Sequence, residues 1–460
     1  MENSRNRQSP DAIALPLFSR IDAALAAHCP PGSRLLLAYS GGVDSSVLLH
    51  ALAALRHTHD WRIECAHVHH GLSPHADAWA DACAEQCSAL DIPFVLHRVT
   101  VPTASPDGLE SAARNLRYKA LHAHARRRGV DVLLTGHHAD DQAETLLHNM
   151  VRGAGLMGLA GMPGWREPDA ERVATLRPLL AISRATLDAF ARELGLSWIE
   201  DESNGNTRFA RNYLRRNVMP ALAARWPRAA ETMAGVARRL AEAQGLLDSM
   251  ADTDADALTL KTPWGRCFRL DGFAALDAAR QRNLLRRLLR THGARTAPNE
   301  GWLDEWRRQL CSAQVTAECP VAHAGVAAFC HRGMLWLMPD VSPLPEVAWH
   351  GDQVVDWAPG RLEFETVRGR GLALSAIESL RWTLRARVPG DRLQRGPARP
   401  RAGVKQIAQE AGLPPWLRDR MPILLADGRP VWMPGCEVSA PFLAGPEAPG
   451  WLPVWRPSVR

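Results

Sequence analysis

Over its first 200 residues the chain alternates short apolar runs with amphipathic stretches, and few folds accommodate that alternation. Arg34–Tyr39, Arg62–Val68, Pro93–Val99 and Val130–Thr135 read as strands, and Ser45–Arg56, Ala76–Leu90 and Glu110–Arg128 between them read as helices. Strands that alternate with helices build a doubly wound, parallel sheet with helices on both faces, an α/β domain of Rossmann-like type. Ligands of such sheets bind beyond the carboxyl ends of the strands. Chemistry is therefore expected just after each strand, where Ser40–Ser45, His67–Gly71 and Gly136–Glu144 stand.

The first of these segments, SGGVDS, lies between the apolar run Leu35-Leu36-Leu37-Ala38-Tyr39 and a helix with Val47, Leu48, Leu52 and Leu55. Gly41 and Gly42 let the backbone approach a phosphate without a Cβ clash and turn amides toward it. Ser40 and Ser45 add hydroxyl donors, and the N-terminus of the following helix supplies partial positive charge. Asp44 stands where the kinase-type loop carries lysine, and suits a magnesium ion bridging phosphates. The alternative is a tight turn between strand and helix.

Three later segments add polar side chains. HVHHGLS follows the second strand; its histidines alternate between faces and no cysteine or carboxylate joins them at ligand spacing, so they read as a turn lining the nucleotide pocket. In LESAARNLRY, Glu110, Arg114 and Arg117 fall on one helical stripe, a solvated face or a set of cations beside departing pyrophosphate. In GHHADDQAETLLH, His137, Asp141, Glu144 and His148 are spaced four, three and four apart, one helix face. A cap at the helix start needs one acid; two acids and a histidine on one face suit magnesium binding and general-base work. A fourth polar run, WIEDESN, continues to Arg208, Arg211 and Arg215 and either contacts phosphates or starts a helix.

At 460 residues the chain exceeds a single core. We expect three domains: 1–222 with the sheet, a helical middle domain 223–345 built on Ala229–Met250 and Ala274–Thr291, and a small α+β C-terminal domain 346–460. Between Arg381 and Arg420 ten basic residues face three acids, a net +7, so the other 420 residues together carry −1. The basic character is thus a C-terminal patch, and nucleic acid is its natural polyanionic partner. Only three of the 55 basic residues are lysine, a bias that explains the choice of arginine but not the clustering. No run of 18 apolar residues marks a membrane span, and the first 20 residues show no secretory pattern, so a cytoplasmic location is expected. The nine cysteines form no framework; Cys83 and Cys87 are four apart and read as reduced thiols.

Taken in order, SGGVDS, HVHHGLS, LESAARNLRY, GHHADDQAET, RGAGLMGLAGM, RPLL, WIEDESN and RNYLR resemble the tRNA(Ile)-lysidine synthase family among the PP-loop ATP pyrophosphatases. VPGDR and KQIAQEAGLPPWLRDRMPIL extend the likeness to the C-terminal region, with Val404 and Lys405 where the family usually has two lysines. The resemblance implies a ligase that uses ATP to adenylate the C2 oxygen of the wobble cytidine in the CAU anticodon of tRNA(Ile). Free L-lysine then displaces AMP to give lysidine, which changes decoding from AUG to AUA and charging from methionine to isoleucine. It assigns ATP phosphates to Ser40, Gly41, Gly42, Val43, Asp44 and Ser45, and Mg2+ to Asp44 and Asp141. Asp141 and Glu144 would also orient lysine, with His137, Arg114 and Arg211 at the reacting centre. The middle helices and the basic region would grip the tRNA, and a homodimer is a further expectation. A PP-loop tRNA thiolation enzyme is the alternative within the class, but such enzymes need paired cysteines, usually C-x-x-C, which this chain lacks. A binding-only RNA module would have no need of Asp44, Asp141 and Glu144 together.

Overall fold

The computed structural model describes residues 11–102, 109–200, 210–312, 321–339, 345–358, 360–394 and 400–457. The polar run 201–204, Arg208, Arg395 and Arg399 lie outside the described residues, as does the side chain of Glu110. The chain divides into two compact units, one ending at Gly245 and the other beginning at Leu246.

In the first unit, α1 (Asp11–Ala26) leads into β1 (Arg34–Ala38), α2 (Val43–Leu55), β2 (Arg62–His69), α3 (Ala76–Ala89), β3 (Phe94–Arg98), α4 (Leu109–Arg128), β4 (Val132–Thr135) and α5 (Ala139–Val151). The boundaries of β1 to β4 and of α2 to α4 fall within two residues of their expected places, whereas α1 has no counterpart among the expected elements. A short helix α6 (Leu156–Leu159), strands β5 (Trp165–Arg166) and β6 (Ala174–Leu176), and helix α7 (Arg184–Glu193) follow. The sheet order is β3-β2-β1-β4-β6-β5, parallel except for β5. Strand β6 ends at Leu176 although apolar residues recur up to Leu180, since Pro178 has no amide to donate and Leu180 N turns back to Arg177 O.

Alternate residues of β1 serve two cores. Leu35 and Leu37 pack with Ile21 of α1, Val47 and Leu48 of α2, Cys83 of α3 and Phe190 of α7. Leu36 packs with Val68, Leu133, and Leu121 and Ala125 of α4 on the other face. A strand buried on both sides needs such an unbroken apolar run, and each buried leucine contributes about 1.5–3 kcal/mol. Chain order reverses direction at β1, whose neighbours are β2 and β4. The loops after β1 and β4 therefore open into the crevice where ligands of such sheets bind.

Beyond the sheet, α8 (Ala210–Tyr213) continues through a π-helical turn (Leu214–Val218) into α9 (Met219–Arg225), and α10 runs from Ala229 to Leu258, so the unit boundary falls inside it. In the second unit the expected Ala274–Thr291 helix is two: α11 (Leu270–Ala275) and α12 (Ala278–Thr291). Asp277 breaks them apart, its carboxylate capping α12 by accepting from Ala279 N and Arg280 N. With α13 (Glu300–Cys311) these helices pack their leucines on an antiparallel sheet of β7 (Thr259–Thr262), β8 (Gly265–Arg269), β9 (Val321–His323), β10 (Val326–His331) and β11 (Met334–Pro339). The middle region is therefore helical with a sheet beneath it. Val326 and Ala328 of β10 face the leucine core, whereas Ala327 and Phe329 face a tryptophan-rich core shared with the C-terminal strands.

Candidate active site

At the end of β1 the chain turns at Gly41, whose φ of +80° only glycine adopts without strain. A Cβ there would also collide with Ile199 and lie 2.8 Å from Cys83 Sγ. Ile199 N donates to Gly41 O at 2.9 Å, so the residues after α7 back the loop. Gly42, extended at φ −71° and ψ 161°, caps α2 without a side chain of its own, which leaves the first-turn amides free for an anion. Ser40 Oγ and Ser45 Oγ stand 3.0 Å apart, and Ser45 Oγ donates to Gly42 O. Val43 is buried and anchors the loop to the core. Below it, His67 Nδ1 bonds Tyr39 O at 2.9 Å, so this histidine supports the loop.

Gly136, after β4, lets that segment cross the first turn of α2: a Cβ there would stand 3.1 Å from Ser45 N. The crossing sets His138, the residue before α5, among three acids. Its Nε2 lies 3.7 Å from Asp44 Oδ2 and 3.4 Å from Asp141 Oδ2, and its Nδ1 3.6 Å from Asp140 Oδ2. Arg184, at the start of α7, bridges Asp44 Oδ2 at 3.1 Å and Asp188 at 2.8 Å. Arg215 of the π-turn grips Glu144 with both arms, Nε to Oε1 at 2.7 Å and one terminal nitrogen to Oε2 at 3.0 Å, and reaches Asp141 Oδ1 at 3.0 Å. Arg211 lies 4.0 Å from Glu144 and donates to Thr145 Oγ1 at 3.0 Å. Five acids, Asp44, Asp140, Asp141, Glu144 and Asp188, thus interleave with His138 and three arginines.

Burial and charge oppose each other here. Burial raises the Asp44 carboxyl above its usual range, although His138 and Arg184 work against it. Burial acts on Asp141 too, but His138, His137, Arg215 and Arg211 together outweigh it and hold the group near 2. Burial likewise raises Glu144 despite its arginine. His137 is pushed by burial down to about 3, against the pull of Asp141, and is neutral at physiological pH. For His138 burial favours the neutral ring, yet Asp141, Asp140 and Asp44 overcome it and raise the group to about 9.

A pH dependence follows. With an unfolded value near 6.5 and a folded value of about 9, the His138 contribution to stability is complete below pH 6.5 and fades as pH rises through 9. The melting temperature of the wild type is expected to fall between pH 7 and 9.5 more than that of His138→Asn. Parallel curves for the two proteins would exclude it.

Asp44, Asp141, Glu144 and Arg211 are brought together as expected. His137 is not on the α5 face: it precedes the helix and bonds Thr135 Oγ1 at 2.9 Å. Arg114 lies on α4 with its guanidinium 5.9 Å from the Tyr118 ring, and its charge is felt at His137. Two acids also have structural work. Asp141 accepts from His138 N at the start of α5, and Asp140 accepts from Arg184 N at the start of α7. His138, Arg184 and Arg215 complete the cluster beyond the residues expected from the sequence. His138 and Arg215 stand inside GHHADDQAET and RNYLR, and their proximity to acids was the available signal; nothing local marks Arg184, 140 positions from Asp44. The glycine-rich connector after α5 is held by Gln142, which donates to Ala160 O and Met162 O and accepts from Met162 N. Among the described residues no group of three or more His, Cys, Asp or Glu side chains is arranged to hold a metal ion, and no helix is long and apolar enough to cross a membrane.

A loop of this geometry at the switch point of a parallel sheet defines a PP-loop enzyme that uses ATP, and residues 17–222 match the PP-loop domain model. Residues 268–336 match the TilS substrate binding domain and 382–455 the TilS substrate C-terminal domain. The tRNA(Ile)-lysidine synthase of Azoarcus sp. (strain BH72) is 42% identical over 434 residues, 94% of each chain. That of Aromatoleum aromaticum is 42% identical over 436 residues, 94% of this chain and 99% of the relative. A solved TilS C-terminal domain is 25% identical over 25% of this chain and 98% of its own length, with a TM-score of 0.21. The chain belongs to the tRNA(Ile)-lysidine synthase family, and is an ATP-dependent ligase acting on tRNA.

Proposed function

We propose that the chain joins free L-lysine to C2 of the wobble cytidine of a CAU-anticodon tRNA(Ile), after adenylating the C2 oxygen. The observation that carries this is the convergence of Asp44, Asp141 and Glu144 with His138, Arg184, Arg211 and Arg215 beside the phosphate loop. The loop amides and the Ser40 and Ser45 hydroxyls hold the triphosphate. The C2 oxygen attacks the α-phosphorus and pyrophosphate leaves, its charge met by Arg211 and Arg114. The ε-amine, once neutral, adds to C2; the C2–O bond breaks and AMP departs with that oxygen. His137, neutral, and Glu144, whose carboxyl burial raises, have the acceptor character to take the lysine proton.

Magnesium fits the loop in one respect. Asp44 Oδ1 is buried without a hydrogen-bond partner, so one hard oxygen is available, whereas Asp141 is engaged by His138 and Arg215. We assign the ion to Asp44, with Asp141 as second ligand once those cations yield. When bound it would neutralise the phosphates of ATP.

A cavity of about 530 Å³ supports the lysine reading. It is lined by Asp140, Arg215, Met219, Pro220, Arg228 and Glu231, among others, which offers acids for ammonium groups, arginines for a carboxylate and an apolar wall for the stem. Glu231→Gln is expected to raise KM for lysine about 10-fold, by loss of one charged partner, while tRNA-dependent ATP–pyrophosphate exchange is unchanged. Equal effects on both would refute the seat. For the function itself, CAU-anticodon tRNA is incubated with ATP and labelled lysine and then digested to nucleosides. One ATP-dependent label per tRNA is expected; no label overturns the reading. The division into domains 1–222, 223–345 and 346–460, with the last two gripping tRNA and the chain acting as a homodimer, belongs to the same proposal.

A further inference from the structure

The arginines of RNYLR turn inward, and the reverse face of the same helix is left without an assigned role. From Ala210 to Ala230 the chain carries five arginines and no acid. Arg211 and Arg215, four apart, reach α5. Tyr213, Arg216 and Asn217 lie on the opposite side and are exposed. Tyr213 is 54% exposed and Trp226, at the far end of the helix, 59%. Arg225 holds its guanidinium 5.9 Å from the centre of the Trp226 ring. Helical rise puts the two aromatics roughly 20 Å apart along the axis, so they serve different nucleotides.

Exposed aromatic rings set among arginines are costly to leave in water and suit one kind of polymer. Single-stranded RNA presents flat bases for stacking and phosphates for the cations. A wobble base also has to leave its own stack before it can enter a centre as enclosed as the one at Glu144, which strands its neighbours in the loop. We propose that the exposed rings of the helix 210–226, Tyr213 near Arg216 and Trp226 beside Arg225, form the platform on which unstacked bases of the loop around the target cytidine are held. The assignment rests on the tRNA substrate of the proposed function. Two observations commit it to RNA: the charge of the segment is wholly positive, and the platform is continuous with the catalytic arginines, two residues from Tyr213 on either side.

The test uses the full chain and a 17-nucleotide CAU anticodon stem-loop carrying 2-aminopurine immediately 3′ of the wobble position. Wild type is expected to bind it with a change in 2-aminopurine fluorescence. Tyr213→Ala and Trp226→Ala should each weaken binding about 10-fold, the effect of removing one stacked base. Tyr213→Phe should restore it. Arg216→Ala should flatten the salt dependence by roughly one phosphate contact, and the alanine variants of the aromatics should leave that slope unchanged. ATP binding without RNA and melting temperature should be unaltered in all four, because these side chains are exposed. Affinity within 2-fold of wild type for both aromatic variants overturns the platform. So does a loss of self-association in Trp226→Ala with RNA affinity intact, which would give the face to a second copy. Because binding is read without catalysis, failure of lysine incorporation by the wild type would strike the proposed reaction and leave this result standing.

Discussion

Asp44→Asn is expected to remove tRNA-dependent ATP–pyrophosphate exchange, by about 10³-fold or more, while leaving the protein at least as stable as wild type. The two halves of that expectation come from one environment. Asp44 is taken from water by the fold, which raises its carboxyl, and Asp141 and Asp188 add like charge. His138 and Arg184 offset part of this. Its Oδ1 nevertheless finds no hydrogen-bond partner. A buried carboxylate oxygen without a partner costs stability, so an amide of the same shape should be tolerated or favoured. Residues kept at such a cost are characteristic of sites where activity and stability compete. Exchange measured beside a thermal melt decides it. Full exchange in the variant would refute the loop assignment, and a collapse in melting temperature would make Asp44 structural.

Much of this is written in the local sequence. The switch point of the sheet follows from the order of strands and helices, and the loop from two glycines between an apolar run and a helix. Leu35-Leu36-Leu37 could only be a strand covered on both sides. The acids of α5 were legible too, because helical spacing puts Asp141 and Glu144 on one face. What was not legible was long-range. Arg184 meets Asp44 across 140 residues of chain, and only the packing of α7 on α2 decides it. The π-turn that aims Arg215 leaves no local signature in Leu214–Val218. In the C-terminal region the tally of charge misleads. Arg385 is bound by Asp391, Arg387 by Asp419, Arg418 by Leu413 O, and Arg420 lies over the Phe329 ring. Among the described basic residues from Arg381 to Arg420, Arg381, Arg392, Arg401 and Lys405 are the exposed ones. The tryptophan of PPWLRD is buried against Phe329 and Trp336, so this motif serves the core of the domain as well as any RNA.

Arg215→Ala should cause the largest loss of stability among the site variants. Glu144 is 1% exposed and takes two of its hydrogen bonds from this one arginine, which also holds Asp141. Removing one partner of a buried pair costs about 3–5 kcal/mol, because the other charge is stranded. The arginine side chain is itself 40% exposed, so water entering the gap should reduce that to roughly 2–3 kcal/mol. For a unit of this size each kcal/mol lowers the melting temperature by about 2–4 °C, which gives an expected drop of roughly 4–12 °C. If the cause is a stranded carboxylate and not lost packing, Arg215→Ala combined with Glu144→Gln should recover most of the loss while remaining inactive. The deficit of the single variant should also shrink as pH falls, since burial already raises Glu144 and without its arginine the group takes up a proton more readily. A double variant no more stable than Arg215→Ala, with a deficit independent of pH, would show that the arginine holds the π-turn by its shape and that its charge is reserved for the substrate.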